Sequence, residues 1–299
     1  MPVRRALLTG ATGFVGSHLA AALISEGWDV HAVTREPSTA ALPKGAKAHL
    51  HDGTTEGMAD IVREAAPDVV FHLASLFLAQ HSPADIEPLV RSNLLFGTQL
   101  MEGMCAGGVG RLVNTGTSWQ HYGNSDYNPV CLYAATKQAF QAMMEYYVEA
   151  CSIKAVTLKL YDTYGPGDTR KKLFALLRQA SLEGTRLDMS AGEQMIDLVH
   201  IDDVVDAFRT AAGLLLDDSV ERSEEYAVSS GSPIRLRDLV ETYSRVTGRE
   251  LDINWGARPY RPREVMVPWD RGRPVPGWKP RVALEEGITR AEGPEAGGA

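Results

Sequence analysis

Short apolar runs alternate with helix-length stretches through the first half of the chain. Residues 4–8, 29–34, 68–73, 111–114 and 154–160 are strand-length runs dominated by valine, leucine and alanine. Between them, residues 14–25 space their apolar side chains at helical intervals, and the segments around 84–105 and 132–151 are long enough for helices. Strands alternating with helices predict a doubly wound α/β fold. Each parallel crossover needs a helix-length return, and helices on both faces bury the sheet. From about residue 165 the rhythm loosens. Gly165-Pro166-Gly167, Gly192, Gly231 and Pro259 punctuate it, with helices predicted near 171–183, 202–215 and 235–247.

Composition narrows the class. The chain has 299 residues, 44% of them hydrophobic, and a net charge of −8 with scattered basic residues. Such a balance argues against a nucleic-acid partner. No run approaches the roughly 18 to 20 apolar residues of a membrane span, and the opening MPVRRALLTG reads as a first strand, not a signal peptide. Three cysteines, Cys105, Cys131 and Cys151, form no CxxC pair. They argue against a disulfide framework and a metal site, and they make a cytoplasmic location the default.

The segment TGATGFVGSHL follows the first strand and opens a helix. Gly10, Gly13 and Gly16, with Thr12, Phe14 and Val15 between them, let the backbone turn sharply and approach a pyrophosphate at the helix N-terminus. At the end of the second strand an acidic residue would take the ribose 2′-hydroxyl of NAD, and an arginine the 2′-phosphate of NADP. Here that strand ends in Thr34-Arg35, with no carboxylate before Glu36. NADP is therefore the expected cofactor, the alternative for Arg35 being a solvated surface charge. Asp52-Gly53 stands where a loop after a third strand meets the adenine edge. His72-Leu73-Ala74-Ser75 closes the next strand near phosphate and ribose, His72 being either a contact or a buried capping residue.

Tyr133 and Lys137 lie four residues apart, hence on one helix face. A cation beside a phenol favours phenolate and brings the tyrosine toward use as an acid or base near neutrality. Ser118 ends the run RLVNTGTS, and the C-terminal end of a strand is where a doubly wound sheet binds ligands. From there its hydroxyl can donate to a carbonyl oxygen gaining negative charge.

Taken together, the glycine loop, HLAS at 72–75, Asn93 in NLLFGT, Ser118 in TSWQHYG, Tyr133 with Lys137, and LVHIDDV at 198–204 resemble the extended short-chain dehydrogenase/reductases. The nearest set is the nucleotide-sugar epimerase/dehydratase group, over residues 3 to 290. The resemblance implies a Rossmann domain over 1–165 and a smaller, interleaved substrate-binding region over 166–290; the tail AEGPEAGGA at 291–299 reads from its composition as disordered. It implies that Ser118 orients a carbonyl, Tyr133 exchanges the proton, and Lys137 holds the nicotinamide ribose. Asn93, Tyr161 and Thr163 then belong to the cofactor surroundings, and the helices near 84–105 and 132–151 to a homodimer interface.

Departures from the family pattern locate the chain within it. Dehydratases carry an Asp-Glu pair after the catalytic hydroxyl residue; here Trp119 and Gln120 stand there, which argues against dehydration. No cysteine serves as an epimerising base near Ser118, and Cys131 reads as packing. Asp162 replaces a usual Asn, Ile196 a frequent Arg, and Arg261 matches a late arginine that contacts the diphosphate. The stretch from Ser118 to Phe140 is similar to reductases that make abequose or paratose from CDP-linked 4-keto sugars; reductases of TDP- or GDP-linked deoxysugars remain similar. Trp119, Gln120, His121, Tyr122, Asp162 and Arg261 are then the expected substrate residues, Trp119 and Tyr122 doubling as packing. The expected activity is NADPH-dependent reduction of a nucleotide-linked 4-keto-6-deoxyhexose at C4. The alternatives are an NAD(P)-dependent epimerase and a non-catalytic NADP sensor, the latter disfavoured because Ser118, Tyr133 and Lys137 are all kept.

Overall fold

The computed structural model describes residues 3–35 and 42–293. Seven strands form one parallel sheet. Six come first: β1 (Arg5–Thr9), β2 (Asp29–Thr34), β3 (Lys47–Leu50), β4 (Val69–His72), β5 (Arg111–Thr117) and β6 (Lys154–Leu160). The seventh, Ser223–Val228, arrives from the second half of the chain and pairs with β6. In space the order is Ser223–Val228, β6, β5, β4, β1, β2, β3. The strand order therefore reverses between β1 and β4, and the crevice that ligands use in such sheets opens at the ends of those two strands.

The helices are α1 (Phe14–Ser25), α2 (Thr55–Ala65), α3 (Ile86–Val90), α4 (Phe96–Ala106), α5 (Leu132–Cys151), α6 (Leu173–Glu183), α7 (Ile201–Leu216), α8 (Leu236–Thr247) and α9 (Leu284–Glu292). Two cores flank the sheet. One packs Leu19, Leu23, Val204 and Phe208 of α1 and α7 against Leu8, Phe71 and Val113; the other packs Met58, Leu100, Phe140 and Met144 of α2, α4 and α5 against Leu7, Val70 and Leu112. The alternating sides of successive strand residues send each strand into both cores. A third cluster, around Leu177, Leu239, Tyr243 and Ile288, holds α6, α8 and α9 together beside the sheet's C-terminal edge. The two halves interleave, since α7 and Ser223–Val228 return to the first core.

Several sequence expectations need correction. The helix expected over 84–105 is interrupted by a π-type turn at Arg91–Leu95. Cys105 and Cys151 are joined by a disulfide, with Cα atoms 5.5 Å apart. Their separation of 46 residues hid the pairing, which arises because the C-terminal ends of α4 and α5 converge. The cysteine pattern is thus no argument for a reducing compartment. Ala291 and Glu292, expected in a disordered tail, complete α9 instead, and Glu292 accepts from Arg178 at 2.9 Å; the rest of that expected tail, residues 294–299, lies outside the described residues. Among the described residues no helix is long and apolar enough to cross a membrane, and no cluster of three potential metal ligands occurs.

Candidate active site

The glycine loop sits at the reversal point. Gly10 has φ +73°, and a Cβ there would stand 2.7 Å from the Ala74 nitrogen; at Gly16 a Cβ would stand 2.1 Å from the Gly10 oxygen. The missing side chain at Gly10 therefore lets the loop after β4 lie directly on the loop after β1, and the one at Gly16 lets α1 close against that loop. Thr12 and Gly13 are exposed, and the first turn of α1 carries no acidic side chain, so its positive end faces outward uncompensated. The Thr9 hydroxyl accepts from the Ala74 N–H at 3.2 Å and lies 2.8 Å from His72 Nδ1. Burial, reinforced by the Lys137 charge, pushes His72 down to about 3, which keeps it neutral. These features fit a bound dinucleotide pyrophosphate.

Behind the loop, Asn93 is buried within the π-type turn. Its Oδ1 accepts from the Leu76 N–H at 2.8 Å and the Ser75 hydroxyl at 3.2 Å, while its Nδ2 donates to the Leu76 carbonyl and to Thr136 Oγ1. Asn93 thus ties the loop after β4 to α5. At the adenosine end, Thr34 is buried with its hydroxyl donating to the His49 carbonyl, and Arg35 is exposed beyond it. Glu36 lies outside the described residues. Asp52 caps its own turn by accepting from the Thr54 N–H and hydroxyl, both at 2.8 Å, and the Gly53 carbonyl accepts from Gln99.

The reacting end is built from β5, α5 and β6. Ser118 is buried at the first position of a turn that follows β5 without a break. Tyr133 and Lys137 occupy the first two turns of α5, both buried. Lys137 Nζ stands 5.9 Å from the Tyr133 ring centroid. The sequence expectation that this lysine draws the phenol toward neutrality is outweighed in the ligand-free protein. Burial dominates and holds Tyr133 well above its ordinary value, although the Ser75 hydroxyl beside it pulls the other way. Burial also pushes Lys137 down to about 8. The Phe77 ring meets Tyr133 edge-on at 5.0 Å and Trp119 at 5.5 Å, so an aromatic wall adjoins the phenol.

Two adjoining cavities of about 300 and 140 Å³ share Trp119, Asp162, Ile196 and Arg261. The larger is lined by five cations, Arg170, Lys171, Lys172, Arg178 and Arg261, with Phe77 and Phe174. Lys172 pairs with Asp162 at 3.3 Å, Arg261 with Glu264 at 2.7 Å and Arg170 with Asp168 at 2.7 Å. The guanidinium of Arg261 also lies 5.5 Å over Trp119. The smaller cavity reaches Ser118, His121, Tyr122 and Tyr161. His121 stacks on Trp269 at 3.9 Å, Arg263 lies over Tyr122, and the Tyr161 hydroxyl donates to the Trp269 carbonyl.

Of the expected substrate residues, Trp119, His121, Tyr122, Asp162 and Arg261 line these cavities. Gln120 does not: it is fully buried, and its amide points away from the cavities into α5. Residues that sequence reasoning missed include Phe77, Lys172, Trp269 and Arg170. Arg170 donates to the hydroxyl and carbonyl of Thr163 and lies 4.3 Å over the Phe14 ring, joining the glycine loop to the strand end after β6. The run RKK at 170–172 was the only available signal, and nothing in its spacing shows which way it points.

Comparison with known proteins places this architecture. The chain is similar to CDP-abequose synthase of Yersinia pseudotuberculosis, at 26% identity over 268 residues, covering 88% of this chain and 91% of that protein. It is similar to UDP-glucose 4-epimerase of Mycolicibacterium smegmatis, at 27% identity over 315 residues and 96% of each chain. Among solved structures, the UDP-glucose 4-epimerase of Thermus thermophilus in complex with NAD superposes with a TM-score of 0.82 at 26% identity, covering 96% of this chain and 97% of that one. Residues 6–222 match the description NAD dependent epimerase/dehydratase. That match starts in β1 and runs past α7, taking in the ends of all six strands on which the site is built, and the chain belongs to the NAD dependent epimerase/dehydratase family.

Proposed function

We propose that the protein reduces the 4-keto group of a nucleotide-diphosphate-linked 6-deoxyhexose with NADPH. The observation that carries this reading is the placement of Ser118 at the end of β5 and of Tyr133 and Lys137 in the first two turns of α5, beside the cavities that Trp119, Asp162 and Arg261 line. The phenol of Tyr133 can give its proton to a carbonyl oxygen that gains negative charge. Ser118 donates a hydrogen bond to the substrate oxygen, and Tyr133 delivers its proton there as the C–O bond becomes a single bond. Lys137 binds the nicotinamide ribose, and its charge stabilises the phenolate left behind until solvent returns the proton. When bound, the dinucleotide supplies the hydride that forms the new C4–H bond. The aromatic wall of Phe77 and Trp119 adjoins Tyr133 and offers a face for the sugar ring, and the cations of the larger cavity suit a diphosphate. Trp119 and Gln120 supply no carboxylate beside Ser118, so elimination of water has no acid–base pair there. Exposed Arg35 supports NADP over NAD, and CDP-abequose synthase among the relatives supports a deoxysugar substrate.

Relatives named as 4-epimerases support a second reading, oxidation and re-reduction of the same sugar carbon. Absorbance at the reduced-nicotinamide band separates the two. With CDP-, TDP- or GDP-linked 4-keto-6-deoxyhexoses, the reductase consumes NADPH stoichiometrically, and Tyr133→Phe lowers the rate by about 10²- to 10⁴-fold. Flat absorbance with every ketosugar, together with interconversion of nucleotide hexoses, moves the assignment to epimerase. Retained output in Tyr133→Phe would indicate a sensor.

A further inference from the structure

Lys159 lies in β6 with no solvent exposure. Removing an ammonium from water costs several kcal/mol unless charge and hydrogen bonds compensate. Glu225, on the neighbouring strand, stands 3.0 Å away, and Gln141 Oε1 accepts from Lys159 Nζ at 2.9 Å. Gln141 Nε2 donates in turn to Glu225 at 2.7 Å, closing a ring of three side chains.

From this ring the bonds run toward the reacting groups. Gln120 Nε2 donates to Gln138 Oε1 at 2.5 Å and to Gln141 Oε1 at 3.4 Å, and Gln120 Oε1 accepts the Thr117 N–H at 3.0 Å. Thr117 and Gln120 bracket Ser118, while Gln138 follows Lys137 directly and Gln141 lies one turn further along α5. Gly116 makes room for the assembly: a Cβ there would stand 2.8 Å from Lys159 Cδ and 3.1 Å from Gln120 Oε1. At the far end His121, which lines the smaller cavity, places Nε2 3.7 Å from the second oxygen of Glu225.

We propose that Gln120, Gln138, Gln141, Lys159 and Glu225 form a positioning network that fixes the Ser118 turn against the helix of Tyr133 and Lys137, beneath the pocket and out of reach of substrate. Stability alone is a weak reason for such a set, because replacing a buried ion pair with apolar side chains of similar volume is often neutral or stabilising. What an apolar filling cannot supply is directional bonding between the two arms that carry the reacting hydroxyls. The inference rests on the reading of Ser118, Tyr133 and Lys137 as the reacting set.

The test uses the full chain with Gln120→Leu, Gln138→Ala and the double variant Lys159→Met with Glu225→Leu. Two readouts are compared: kcat and KM with NADPH and the ketosugar panel, and the ¹³Cζ resonance of Tyr133, identified by its loss in Tyr133→Phe. The expected result is a kcat lowered about 10- to 100-fold with KM within about twofold. The Tyr133 resonance should move in the direction that Ser118→Ala moves it. Gln138→Ala, at a half-buried helix position, carries the test if Gln120→Leu does not fold. Folded variants with wild-type kcat and an unmoved resonance overturn the proposal, as does a loss of activity that merely tracks the melting temperature. If the wild type consumes no NADPH with any ketosugar, the reductase reading fails by itself, and the resonance still decides the network.

Discussion

At the scale of single residues, burial is the strongest influence on the candidate chemistry. Tyr133 and Lys137 are both taken out of water, and in each case burial favours the neutral form. For Tyr133 that is the proton-donating form. For Lys137 it lowers the value from 10.5 to about 8, so the cation that supports the phenolate is lost as pH rises through that region. On the proposed mechanism kcat/KM should therefore fall on an alkaline limb near pH 8, and Lys137→Arg should move the limb upward, because guanidinium stays charged. A pH–rate profile of the two proteins checks this; coincident limbs would assign the limb to another group. The same shift has a sign for stability. Between about 8 and 10.5 the unfolded chain holds more protons at this lysine than the folded one, so ligand-free stability from this group rises with pH across that window. The glycine loop and the pair Tyr133 and Lys137 were legible in the sequence because each is a motif of short spacing, and Ser118 because it follows the strand RLVNTGT. The direction of Gln120 was not. Trp119 faces the cavities and Gln120, the next residue, faces the core, and only the packed helix α5 shows which is which.

Among elements, five strands of the sheet and most of the helices were legible, since period and punctuation are local properties of the chain, but β3 and α2 had no bounds and Ser223–Val228 and α9 went unread. The interruption at Arg91–Leu95 was not legible either, because the extra residue of a π-type turn leaves the apolar spacing nearly unchanged while turning Asn93 toward the loop after β4. The convergence of α4 and α5 was equally hidden. Their ends meet through the Cys105–Cys151 bond, which anchors the far end of the helix that carries Tyr133 and Lys137. Closing a loop of this size contributes about 2–4 kcal/mol. Reduction, or Cys105→Ser with Cys151→Ser, should therefore lower the midpoint of denaturant unfolding. Equal midpoints with and without reductant would show that the bond adds nothing to stability.

For the whole molecule, α3, the π-type turn after it and α5 leave Ile86, Val90, Leu95, Met143 and Tyr146 exposed. Such an apolar surface suits burial against a second copy, in line with the homodimer that the family resemblance implies. Light scattering should give twice the chain mass for the wild type and a smaller species for Tyr146→Glu, which places a charge in that surface. A monomeric wild type would remove the dimer.

By itself the sequence determined the class of fold, a glycine loop between the first strand and the first helix, and a tyrosine and a lysine on one helix face, because alternation, glycine spacing and a four-residue helical step are set by neighbouring residues along the chain. Only the tertiary structure decided that Arg170 lies on Phe14, that Lys172 meets Asp162 and that Phe77 walls Tyr133. It alone paired two cysteines 46 residues apart and turned Gln120 inward. Those contacts join strand ends that the sheet brings side by side, and a local pattern of apolar and polar residues carries no record of which distant side chain will stand opposite.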